Sequence, residues 1–214
     1  MAEKIPAGNL QPEQYRRLKA QLEGFQPCNE QEAADRNRIL QALDTREGVF
    51  ERTDETAHMT ASAWVVNPDR TRVLMVYHNI YHSWSWLGGH ADGDADLLAV
   101  AMREVQEESG VRLLRPVSDE IYSVEVLTVD GHEKRGKYVP SHLHLNVTYL
   151  LEADDSQPLF VKEDENSAVA WFELEDALAA SAEPWLRDRV YRKLNEKLKQ
   201  YTSFQTAAQE AGRY

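Results

Sequence analysis

Apolar residues recur at near-helical spacing early in the chain, at Tyr15, Leu18 and Leu22 and, after a break at Gln26-Pro27, at Ala33, Ile39, Leu40 and Leu43. This predicts a helical lead-in over residues 10 to 44. From about residue 58 the pattern changes. HMTASAWVV, a turn at Asn67-Pro68-Asp69 and TRVLMVYH are rich in β-branched and aromatic residues and predict a hairpin. WSWLGGHADGDAD (84 to 96) reads as a loop, and Leu97 to Ser109 as a helix stopped by Gly110. Strands are expected at 120–129, 142–151 and 168–173, with the polar, basic loop GHEKRGK among them. LEDALAA reads as a short helix, and residues 184 to 201 as an amphipathic one with Trp185, Val190, Leu194 and Leu198 on its apolar side. The order is mixed α and β. It divides into a helical lead-in at 1–50, a central domain at 51–182 and a C-terminal helix at 183–214 packed on that domain.

Composition narrows the function. With 24 Lys and Arg against 36 Asp and Glu, the net charge is −12, and so negative a surface repels phosphate backbones and anionic headgroups. Nucleic acid and membrane are therefore not expected partners. The single cysteine, Cys28, can form neither an internal bridge nor a cysteine-based zinc cluster. The opening MAEKIPAGNL lacks the apolar run of a secretion signal, and no apolar stretch approaches a membrane span. A cytoplasmic location is expected.

The acids are unevenly distributed. Between Gly88 and Val111 stand six acids (Asp92, Asp94, Asp96, Glu104, Glu107, Glu108) and one base, Arg103. Glu104, Glu107 and Glu108 fall at i, i+3 and i+4, within an arc of roughly 100° on a helix. Like charges so placed repel unless a hard divalent cation sits over them, and Mg²⁺ takes oxygen ligands of this kind. Leu98, Ala101, Met102 and Val105 lie on a neighbouring side and would anchor the helix to a sheet. Gly88 and Gly89 let backbone come close to a ligand and can offer a carbonyl oxygen. Arg103 can lie against Glu107 or brace a carboxylate. For an arbitrary E-x-x-E-E, a solvated acidic face is the commoner role.

The context decides otherwise. REVQEESGV, preceded at fixed distance by Gly89, resembles the signature of the Nudix hydrolases, G-x5-E-x7-R-E-U-x-E-E-x-G-U, where U is apolar. Eight of its nine fixed positions match: Gly89, Arg103, Glu104, Val105, Glu107, Glu108, Gly110 and Val111. The strand order, the Trp-x-x-Gly-Gly approach and AVAWFELEDAL extend the resemblance to roughly residues 58 to 182. It implies a Nudix-type α/β/α sandwich with a mixed β-sheet, with N-terminal and C-terminal helices added. It also implies a metal-dependent pyrophosphatase that cleaves a diphosphate linkage in a small-molecule nucleoside diphosphate derivative. Carried over position by position, Glu104, Glu107, Glu108 and the Gly88 carbonyl would ligate Mg²⁺ or Mn²⁺, and Glu104 with Arg103 would orient or deprotonate water. Glu165, before the AVAWF strand, is the second candidate for the base. The pattern departs at Ala95, which stands where the family carries its first glutamate, with Asp94 and Asp96 flanking the gap.

Other features carry weaker signals. His142, His144 and Asn146 project to one side of a strand, and Leu143, Leu145 and Val147 to the other. An H-x-H pair can bind a transition metal, although a polar cleft wall is the commoner role. His90, directly after the twin glycines, is the histidine expected to approach substrate. Arg70, Arg72, Lys134, Arg135 and Lys137 can steer a polyphosphate, and Trp84 and Trp86 read as packing before stacking. The alternative to the hydrolase is a catalytically weakened nucleotide-binding module, supported by Ala95 alone. Isomerisation of isopentenyl diphosphate would need Cys28 in the cleft. The helical ends exceed a minimal fold of this type and either cover a homodimer interface or cap the sheet.

Overall fold

The computed structural model describes residues 12–134, 136–162 and 166–211. In chain order the elements are α1 (Pro12–Gly24), α2 (Glu30–Thr45), β1 (Ala57–Val66), β2 (Arg72–His78), β3 (Ser83–Ser85), β4 (Leu87–His90) and α3 (Leu97–Ser109). They continue with β5 (Leu114–Pro116), β6 (Ser123–Val129), β7 (His132–Lys134), β8 (Lys137–Val139), β9 (His142–Ala153), β10 (Asn166–Glu173) and α4 (Leu174–Ala180). A π turn, Leu186–Tyr191, opens into α5 (Arg192–Ala211).

Strand β1 is buried at every position because both faces of the sheet are covered. On one face Met59, Ala61, Ala63 and Val65 join Leu145, Val147 and Tyr149 of β9 in the larger core, beneath α1, α2 and α3. On the other, Trp64, Val66 and Leu150 form a second core with Ala177 and Leu178 of α4 and with Val190, Tyr191, Leu194 and Leu198. The result is a three-layer α/β/α sandwich. The lead-in helices belong to it: Tyr15, Leu18, Leu22, Ile39 and Leu43 lie in the same core as the sheet and α3.

The main sheet is mixed, with the order β10-β2-β1-β9-β5; β3, β4 and β6 attach to β2, β1 and β9. Strands β1 and β9 run parallel along the whole of β1, from Ala57↔Leu143 to Val66↔Glu152. The expected β1–β2 hairpin is present, with the Asn67 N–H donating to the Arg72 carbonyl across its turn, but its strands pair only at Val66↔Val73, and β4 takes the inner part of that edge with the register Thr60↔His90 to Ala63↔Leu87. A correction follows from this: residues 84–90, within the segment read as loop, contain most of β3 and all of β4, since unpaired backbone at such depth would leave its polar groups unsatisfied. The basic loop likewise contains the small β7–β8 hairpin. Strand β5, of three residues, is too short to carry a periodic signal.

Helices α3 and α4 occupy the expected residues. Ala101 and Val105 are fully buried, together with Leu97 and Val100, and Leu98 and Met102 pack partly buried against this core. Trp185 is a correction: it is 47% exposed, whereas Val190, Leu194 and Leu198 are buried as expected. The π turn inserts an extra residue into the helical repeat, which rotates Trp185 away from their side. Among the described residues no helix is long and apolar enough to cross a membrane.

Candidate active site

The acidic helix is secured at both ends. Asp96 is its N-cap, with its carboxylate accepting the Ala99 N–H at 3.1 Å, a cap that contributes about 1 kcal/mol. Gly110 ends it in the left-handed region, φ 73°, which glycine adopts without steric cost. Between these ends, the apolar side is held in the larger core and the side bearing Arg103, Glu104, Glu107 and Glu108 lines a cleft of about 990 Å³.

Each glutamate has a different environment. A Cβ built on Gly89 would lie 2.7 Å from both Glu104 carboxylate oxygens, so only glycine lets Glu104 rest against this backbone. Glu108 is 5% exposed. It accepts the Gly88 N–H at 3.0 Å and the Asn166 side-chain amide at 3.2 Å, which ties α3 to β4 and β10. Glu107 is half exposed, with the Lys162 ammonium 3.6 Å away.

Arg103 turns to Asp94, at 3.7 Å, and not to Glu107. Asp94 in turn accepts the Asp96 N–H at 2.9 Å. The two acids flanking Ala95 are therefore already used, one as the partner of Arg103 and the other as the helix cap. Ala95 itself is 2% exposed, within the larger core, so its methyl group fills apolar space.

The cleft gathers Gly88, Gly89, His90, Arg103, Glu104, Glu107 and Glu108 from the sequence expectations, together with His142 and His144. Glu165 lies outside the described residues, as does Arg135. Lys137 lines the cleft, whereas Arg72 pairs with Glu173 and Asp155 and Arg70 stacks over Tyr201. Cys28 sits exposed between α1 and α2 and is not part of the cleft wall; the isomerase reading loses its nucleophile. Trp84 packs edge to face on Phe172 and Tyr77, and Trp86 on Tyr191.

Several lining residues were not expected to line the site. Arg52 pairs with Asp92 across the cleft, and its hydrogen bond holds the Asp92 carboxyl below the ordinary range. Burial pushes the Glu183 carboxyl up. Tyr81, Tyr138 and Trp185 line the cleft and are exposed. Trp185 apart, which lies in a helical turn, these residues stand in loops, turns or short strands far apart in the chain, where spacing carries no information.

The donor set of α3 fits a hard divalent ion. Glu104, Glu107 and Glu108 supply carboxylate oxygens from one helical arc to one cleft. Lys162 already supplies a positive charge beside Glu107, which a bound cation would take over.

The chain is similar to known proteins. The family model described as NUDIX domain matches residues 56–194. A C. elegans Ap4A hydrolase binary complex is 20% identical, with a TM-score of 0.47 over 70% of this chain and 98% of that one. A NUDIX-family hydrolase from Clostridium perfringens is 19% identical, with a TM-score of 0.45 over 67% and 97%. The E. coli dihydroneopterin triphosphate pyrophosphohydrolase is 16% identical, with a TM-score of 0.44 over 67% and 93%. A search of curated protein sequences found no match. With the family model covering well over half of the chain, and the glycine, arginine and glutamates of the signature meeting at one cleft, the chain belongs to the Nudix family of pyrophosphohydrolases.

Proposed function

We propose that the protein hydrolyses a phosphoanhydride bond in a nucleoside diphosphate joined to another group, with Mg²⁺ or Mn²⁺ as cofactor. The observation that carries this reading is the convergence of Glu104, Glu107 and Glu108 on one cleft of nucleotide size, about 990 Å³. Glu104, Glu107, Glu108 and the Gly88 carbonyl would hold the metal, which when bound neutralises phosphate charge and lowers the pKa of water. Gly89 keeps the Glu104 carboxylate against β4, where it accepts a proton from water. Arg103 positions the loop before α3 through Asp94. Lys162 and Arg52 favour an anionic substrate in a protein of net charge −12. Tyr81, Tyr138 and Trp185 offer exposed rings on which a base can stack. Glu165 is the second candidate for the base.

The test is turnover of dinucleoside polyphosphates, ADP-ribose, nucleotide sugars and nucleoside triphosphates with Mg²⁺. Glu107→Gln and Glu108→Gln serve as controls, each expected to lower kcat/KM by at least about 100-fold. Products formed equally well by these variants would refute the reading. Ligand-induced thermal stabilisation without products would favour the weakened binding module that Ala95 suggests. Asp94→Asn is the sharper probe of Ala95: a fall in activity would mean that the Asp94–Arg103 pair stands in for the absent glutamate.

A further inference from the structure

A second set of donor atoms faces the same cleft, and its chemistry differs from that of the carboxylates. The register places His58 of β1 beside His144 of β9, and β4 brings His90 opposite Thr60, two residues along β1. Their ring nitrogens come together so that one from each of His58, His90 and His144 lies within 4.8 Å of the others. His142 adds a fourth ring, with its Nε2 3.2 Å from that of His144. Ring centroids in this group stand 4.9 to 5.1 Å apart.

The backbone sets the tautomers. His58 Nδ1 lies 2.9 Å from the Asp54 carbonyl and His142 Nδ1 lies 2.8 Å from the Pro140 carbonyl. A carbonyl only accepts, so in both neutral rings the proton is on Nδ1 and Nε2 presents a lone pair. For His58 that lone pair is buried and has no hydrogen-bond partner, in a residue only 3% exposed. An imidazole whose far nitrogen is tied to a carbonyl while the near one aims at shared space is the usual state of a metal ligand. In the metal-free protein the His144 Nε2–H donates to the His142 Nε2 at 3.2 Å, a separation close to the roughly 3.3 Å between two imidazole nitrogens held at about 2.0–2.1 Å by one tetrahedral zinc.

We propose that His58, His90 and His144 form a nitrogen-donor site for a divalent transition metal of the zinc class, separate from the carboxylate site on α3. The fourth corner is filled by His142 or opens to the cleft for water or an anionic oxygen of a ligand. Mg²⁺ is excluded from this position by its preference for oxygen, whereas imidazole suits zinc, iron, nickel and copper. The site does not depend on the hydrolase reading.

The experiment uses full-length protein without a histidine tag, stripped with chelator and reloaded with one equivalent of Zn²⁺. X-ray absorption is expected to give a first shell containing at least three imidazole nitrogens. Competition with a chromophoric chelator is expected to show affinity weakened at least about 100-fold by His58→Asn and by His144→Gln. Glu107→Gln is expected to leave zinc affinity as it was. An oxygen-dominated first shell would overturn the site, as would equal zinc affinity in wild type and in histidine variants whose circular dichroism is native. If the variants fail to fold, the absorption spectrum of the wild type decides alone.

Discussion

The polar file of β9 joins two regions built on opposite principles. At one end His142 and His144 meet His58 and His90, a cluster of bases with a bare buried nitrogen. Two residues further along, Asn146 and Thr148 bond Glu125 at 3.0 and 2.8 Å. Lys193 reaches Glu125 at 2.9 Å and Glu32 at 3.4 Å, and Lys197 reaches Glu32 at 2.7 Å. In this second region two buried acids face two lysines, and α2, β6 and the C-terminal helix are locked together. Here the charges are matched within the protein. In the histidine region His144 and His142 share a hydrogen bond, while the buried Nε2 of His58 has no partner. Matched charge is how a fold holds a buried ion; convergent unmatched donors suit a site that awaits a ligand.

The largest effect should come from breaking the matched region. Lys193→Ala leaves Glu125 and Glu32 short of a buried partner and is expected to cost about 3–5 kcal/mol in denaturant unfolding, while Lys193→Met with Glu125→Gln should recover much of that. Acid should act on the same region. Burial draws the Glu32 carboxyl up, but Lys193, Lys197 and the Cys28 N–H outweigh it and hold it at about 2, against 4.5 ordinarily. A depressed carboxylate stabilises the fold above its unfolded value, and this stability is lost as pH falls from about 4.5 towards 2, on the order of 2–3 kcal/mol. Replacing Glu32 with Gln should flatten that part of the pH–stability curve. The smallest effect belongs to the other region. In metal-free protein His58→Phe removes an unsatisfied nitrogen as well as the bond to Asp54, and the two should nearly cancel, to within about 1 kcal/mol by urea unfolding. A loss of several kcal/mol would make His58 a structural residue and erase the contrast.

Both regions bear on how far the chain could be read in advance. The alternation that puts His142, His144 and Asn146 on one side of β9 was visible from the period of two, and the structure places Leu145 and Val147 in the core on the other side. What the three polar residues would meet was not visible. His58 and His90 arrive from β1 and β4 through a parallel pairing across some 86 positions and an antiparallel one that shortens the expected hairpin. Glu32 and Lys197 lie 165 positions apart, and nothing local marks either as buried. Trp185 was misplaced because one π turn shifts the helical phase, which a fixed repeat cannot anticipate.

The arc of Glu104, Glu107 and Glu108 and the stop at Gly110 were determined by the chain alone, because helix geometry repeats within four residues and needs no distant partner. The tertiary structure decided which carboxylate is buried against Gly88 and Asn166, which partner Arg103 takes, and that four histidines share one space. Those outcomes depend on strand register, and register is set by the burial of whole faces together.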